Sequence, residues 1–164
     1  MTRSTDQSDQ LMESVQLALT NEDIQACFPV MVQLRPHLIT EKSATAETAD
    51  PEKIFIDRIR RQMNQGYQLA FIAAADRVVA VAGFRILENL AWGKFLYVDD
   101  LVTDTSDRSR GYGQLLLEWL VEYGRSHHCK QFHLDSGVQR YEAHRFYFRQ
   151  RLSITSYHFA LSLR

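Results

Sequence analysis

The chain has 164 residues, 45% of them hydrophobic, and a formal net charge of −1. That is enough apolar matter for one cored domain over the whole length, and the charge balance excludes a nucleic-acid binder working through bulk cationic charge. No apolar run approaches the ~18 residues of a membrane span, and the polar opening "MTRSTDQSDQ" lacks a signal-peptide core, so a cytoplasmic protein with a flexible tail over residues 1–12 is expected.

In chain order, "SVQLALT" (Ser14–Thr20) predicts a short strand. Asn21 is expected to cap a helix through "EDIQACFPVMVQLRPHL", interrupted by Pro29 and Pro36. "ITEKSATAETAD" is a polar loop. The next helix, "PEKIFIDRIRRQMNQG", has Pro51 in its first turn, apolar Ile54, Ile56, Ile59 and Met63, and Gly66 as its stop. Three strand runs follow, "YQLAFIAAA", "VVAVAGFRIL" and "KFLYVDDLVT", with a tight turn at Asp76-Arg77 that predicts an antiparallel meander. A helix from the glycines to about Tyr123, a strand "FHLDSG", a helix "YEAHRFYFRQR" and a last strand "ITSYHFALSL" complete the pattern.

The stretch "DRSRGYGQLLLEWL" carries the chemistry. Gly111 and Gly113 open an apolar helix where a polar cap is usual, which suits close approach of an anion to free helix N–H groups. A dinucleotide-binding fingerprint would need a third glycine where Leu116 stands. Asp135 lies where a ribose-binding acid would be expected, but "DTSDRSR" separates strand from glycines, and too little chain follows for the remaining parallel strands. A P-loop fails because no Gly-Lys-Ser/Thr follows. Cys27 and Cys129, far apart, encode neither a disulfide framework nor a zinc site.

Strand, polar turn, Arg-x-x-Gly-x-Gly, helix, strand and a helix with a Phe-Tyr pair together resemble the GCN5-related N-acetyltransferase (GNAT) superfamily. The match is carried by "RSRGYG" (Arg108–Gly113), the preceding "FLYVDDLVT" and "AHRFY" (Ala143–Tyr147), within a resemblance running from about Tyr67 to the end. Arg140 and Arg151-Leu152 depart from the residues common at their places in the family. The resemblance implies an α/β fold with a mixed, mostly antiparallel twisted sheet flanked by helices. It also implies acetyl-CoA as co-substrate, contacted by Leu101, Val102, Thr103, Arg108, Ser109, Arg110, Gly111, Tyr112, Gly113 and Gln114, and no metal. Tyr147 stands at the family's general acid, and Asp99 where polyamine-type members place an acid.

The residues suit that chemistry. An amine of pKa ~10.4 must lose a proton before it attacks, which asks for a carboxylate or a water chain. Asp99 and Asp100 are adjacent on a strand, so regular alternation sends them to opposite faces. A phenol can return a proton to the departing thiolate, and a bulged strand can offer an N–H, around Leu101–Val102 by family analogy, to the oxyanion. His127, His128 and Cys129 read as a helix-end turn rather than a ligand cluster.

The expected reaction is acetyl transfer to a primary amine of a small molecule or peptide, by direct attack in a ternary complex. The expected partners are acetyl-CoA and that amine, with no nucleic acid and no membrane; a homodimer is left open. A non-catalytic CoA-binding sensor and transfer of a longer acyl group are the alternatives.

Overall fold

The computed structural model describes residues 15–40 and 50–163, so the expected tail and most of the polar loop lie outside the described residues. The chain divides into two compact units, one up to His133 and one from Leu134. Among the described residues, no helix is long and apolar enough to cross a membrane.

In the first unit, β1 (Val15–Leu17), β2 (Tyr67–Ala74), β3 (Arg77–Asn89) and β4 (Gly93–Thr103) pair antiparallel in sequence order. A fifth strand, β5 (Gln131–Leu134), follows β4 in the sheet. The β2–β3 turn is Ala75-Asp76, one residue earlier than expected, with φ of 49° and 61°. Positive φ at both central residues is the mirror-image turn that matches strand twist.

Helix α1 (Asn21–Leu34) begins one residue earlier than expected: Thr20, not Asn21, is the N-cap. The Thr20 hydroxyl accepts from the Asp23 amide at 3.1 Å while the Asp23 carboxylate accepts from the Thr20 amide at 2.9 Å. This reciprocal pair satisfies two otherwise orphaned donors. The helix runs through Pro29 and ends at Arg35, and Pro36 leads into the short α2 (His37–Thr40).

Helix α3 (Pro51–Met63) is capped by Asp50, whose carboxylate accepts from the Glu52 amide at 3.0 Å. Its most buried residues are Phe55 and Ile59, with Ile56 and Met63 partly buried. Phe55 thus takes the central place that the spacing gave to Ile54, and its ring meets Phe28 at 5.3 Å.

Helices α1 and α3 cover one sheet face, where Ile24, Phe28, Met31, Phe55, Tyr67, Leu69, Val81 and Val102 form a single apolar core. Helix α4 (Tyr112–Ser126) covers the other, setting Trp119 and Tyr123 edge-on to Phe84 at 6.1 and 5.2 Å. It extends three residues past Tyr123, and His127 caps its end, its Nδ1 2.8 Å from the Tyr123 carbonyl.

The second unit carries α5 (Tyr141–Arg149). The strand expected at "ITSYHFALSL" is absent: residues 152–163 form neither helix nor strand, and Tyr157, Phe159, Leu161 and Leu163 are exposed. Alternation specifies which side of a strand would be buried, but a strand exists only with a ladder partner.

Gly83, inside β3, is fixed by close approach. A Cβ there would fall 1.8 Å from the Tyr67 hydroxyl oxygen and 2.3 Å from the ring carbon that bears it. Gly83→Ala is expected to destabilise the protein by about 1–3 kcal/mol through overpacking. The same substitution in a Tyr67→Leu background should cost much less, as read from urea unfolding midpoints.

Candidate active site

Two features of the first unit hold the candidate residues singled out in the sequence, and both depend on irregular backbone. At the junction of β4 and α4, Thr105–Asp107 form one 3₁₀ turn. Asp104 caps it by accepting from the Ser106 amide at 2.9 Å and the Ser106 hydroxyl at 2.6 Å, bonds that hold its carboxyl below the usual carboxylate range. Gln33 of α1 clasps the same turn, donating to Asp104 at 3.1 Å and accepting from the Thr105 amide at 3.0 Å.

Asp107 is the one charged residue buried among those described, at 3% exposure. It pairs with Arg77 at the start of β3 and with Arg110 at 3.1 Å. A buried carboxylate needs such partners to offset its lost hydration. Ser109 and Gly111 both have positive φ, 64° and 91°, and Gly111 occupies the N-cap of α4 in the left-handed region that favours glycine. Among the described residues no side chain caps this helix and its first turn holds no acid, so neither offsets the N-terminal dipole. Of the two arginines, Arg110 is engaged with Asp107 while Arg108 is exposed. Gln114 points along the helix to Glu118, at 2.7 Å.

The second feature is a bulge. Gly83 pairs with Asp100 and Phe84 with Val98, which leaves Asp99 as an extra residue in β4. An extra residue resets the alternation. Asp99 and Asp100 therefore do not diverge as expected; both engage residues of the α1/α3 face. Asp99 accepts from Arg85 Nε at 3.1 Å, and the Arg85 guanidinium lies 5.2 Å over the Tyr67 ring while also donating to Gln62 at 2.7 Å. Asp100 accepts from Arg35 Nε at 2.8 Å and from the Tyr67 hydroxyl at 3.0 Å. Burial raises the Asp99 pKa above the ordinary carboxylate value, with Arg85 pulling the other way. Burial and the neighbouring Asp100 push the Tyr67 phenol up as well. Beyond the bulge, Val102 is buried in the core, and Leu101 and Thr103 are half-buried.

Sequence reasoning missed Arg35, Tyr67, Arg85 and Asp107. One signal was present: a glycine inside an apolar strand marks close approach of another group, here the Tyr67 ring.

In the second unit, Tyr147 lies on α5 with its ring 5.5 Å from Phe146. Burial raises its pKa, opposed by the charge of Arg140. Asp135, just past β5, pairs with His158 at 3.1 Å.

Residues 31–152 match the model of the acetyltransferase (GNAT) family. The N-acetyltransferase YhdJ of Bacillus subtilis (strain 168) is 29% identical over 128 residues, 78% of this chain and 82% of its own length. Among solved structures, the fold is similar to the ribosomal-protein-alanine N-acetyltransferase of Brucella melitensis biovar Abortus, with a TM-score of 0.73 at 11% identity, covering 91% of this chain and 99% of that one. It is similar also to AAC(6')-Iy in complex with the bisubstrate analogue CoA-S-monomethyl-acetylneamine, with a TM-score of 0.69 at 11% identity, covering 92% and 97%. A match over most of the chain, on a sheet and loop of this form, identifies the protein as an N-acetyltransferase belonging to the GNAT family.

Proposed function

We propose that the protein moves the acetyl group of acetyl-CoA to a primary amine of a small molecule or peptide, by direct attack while both substrates are bound. The observation that carries this reading is the uncapped N-terminus of α4 behind a left-handed Gly111, together with the bulge at Asp99. The first is a ready anion site and the second an opening in a sheet ladder.

Acetyl-CoA supplies a thioester, a carbonyl carbon already bonded to a good leaving group. The N–H groups from Gly111 to Gln114 serve its pyrophosphate, Arg108 adds a mobile charge, and Ser109, Arg110 and Tyr112 shape the loop. The strand from Leu101 to Thr103 lines the acyl-bearing arm, with a backbone N–H after the bulge donating to the carbonyl oxygen. Asp99 takes the amine proton, directly or through water. The amine nitrogen then bonds the carbonyl carbon, the carbon–sulfur bond breaks, and Tyr147 gives its phenolic proton to the departing sulfur. A phenol held protonated by burial suits that donor role.

Direct attack is favoured over an acetylated cysteine. Burial pushes the Cys27 thiol up to about 12 and raises that of Cys129, so neither is a ready thiolate.

Gly113→Val should abolish CoA binding in calorimetry while circular dichroism remains that of a folded protein; retained affinity would remove the glycine loop from the site. Tyr147→Phe should lower kcat by ~10²–10⁴ with little change in CoA affinity, the signature of a lost general acid. Thiol release from acetyl-CoA with a panel of amines reads this, and unchanged turnover would return Tyr147 to packing.

Asp99 binds its proton at higher pH than an ordinary carboxylate. Activity should therefore rise with pH through that raised value as the carboxylate becomes available to accept the amine proton. Asp99→Asn should flatten this acid limb, and a limb that persists would assign the base elsewhere.

A further inference from the structure

Arg35 belongs to the bulge network and has no part in the proton transfers just described. Arg35 ends α1 with its amide donating to the Met31 carbonyl at 2.9 Å, and its side chain reaches to β4. There Nε donates to Asp100 Oδ1 at 2.8 Å and Nη2 donates to the Asp99 carbonyl oxygen at 3.1 Å. The two acceptors belong to consecutive residues, one the main chain of the extra residue and the other the side chain of the next. A planar guanidinium presents two donors at a fixed spacing, which a single ammonium does not.

The opposite side of the same carboxylate is also held. Tyr67 donates to Asp100 Oδ2 at 3.0 Å from a ring seated in the space that Gly83 leaves open. The bulge residue itself has no opposite number in β3, so its conformation is not set by pairing. It is set by side-chain bonds: helix α1 holds its carbonyl through Arg35, β3 holds its carboxylate through Arg85, and β2 holds the next residue through Tyr67.

We propose that Arg35 is a positioning residue for acetyl transfer: it holds the β4 bulge in the geometry that directs the amides after it toward the reacting carbonyl and the Asp99 carboxylate toward the attacking amine. The proposal rests on the acetyl-transfer reading. Arg35 acts through the strand and not on either substrate, so its loss should appear in the chemical step. The Arg35 side chain is half-exposed, and Asp100, though mostly buried, keeps the Tyr67 hydroxyl as a partner when Arg35 is replaced, so a kinetic effect larger than the thermal one is its mark.

The test uses the full chain with Arg35→Lys and Arg35→Gln, assayed by thiol release with the best amine from a panel. Both variants should lose ~10–100-fold in kcat, as misplacement of a reacting group does, with KM for acetyl-CoA within about twofold. Lys keeps the charge but cannot span both acceptors, so it should not rescue. Restoration by Lys would reduce Arg35 to charge neutralisation, and unchanged kcat in both variants would overturn the proposal.

Hydrogen exchange supplies a readout that needs no acceptor. Amides from Tyr97 to Thr103 should exchange about tenfold faster in both variants while those of α4 stay as in the wild type. Unchanged exchange in β4 overturns the clamp whatever the assay shows. If Arg35→Gln does not fold, Arg35→Lys decides. A wild-type protein that releases no thiol with any amine would sink the acetyl-transfer reading and with it the kinetic role, while the exchange data would still decide whether Arg35 holds the bulge.

Discussion

A β-ladder is a counting device: each residue has one opposite number, and side chains alternate faces for as long as the count holds. In this protein the count fails once in the middle of β4, where Asp99 has no partner in β3. From that residue onward the strand is out of step with its first half. Tyr97 and Asp100 then serve the same face, and Val102 enters the core beside Val81. The failure is held in place. Two carboxylates on one patch of strand would repel, and each is matched by a guanidinium from a different element, Arg85 from β3 and Arg35 from the end of α1.

The fold was largely legible because its signals are local. Strand alternation, the Pro51 start of α3 and the meander from Tyr67 to Thr103 are consequences of residues close in sequence. Small misses were local as well: Thr20 and Asn21 are both good caps, and only the reciprocal bond to Asp23 selects Thr20. The site was legible in part. Glycines before an apolar helix announced an open N-terminus, but Asp107 gave no sign of being the buried post of that loop, because Arg77 lies 30 positions away. The faces of Asp99 and Asp100 were read from regular alternation, and no propensity encodes one extra residue in a ladder. Tyr67 looked like one more strand aromatic, since its role depends on the hole at Gly83 and the carboxylate beyond it.

The two halves of the first unit's site are built differently. The bulge network is a set of charged groups that neutralise each other at short range, with Tyr67 nearly inaccessible at its centre. The helix N-terminus is the reverse, a concentration of unsatisfied donors with no acid in its first turn. One has its charges matched within the protein; the other has no capping side chain.

The Arg77–Asp107 pair has a consequence for how the protein acquires its loop. Asp107 is anchored by a residue from the far end of the β2–β3 hairpin, and the turn before it is clasped by Gln33, 71 positions upstream of Asp104. Loops that need partners so distant in sequence close late, after the chain entropy of the intervening segments has been spent. The open N-terminus of α4 is therefore expected to take shape late in folding, once helix α1 and the hairpin are already on the sheet. A ligand that recognises it meets the native state and little before it, so its stabilisation falls on the unfolding rate and leaves the folding rate nearly untouched.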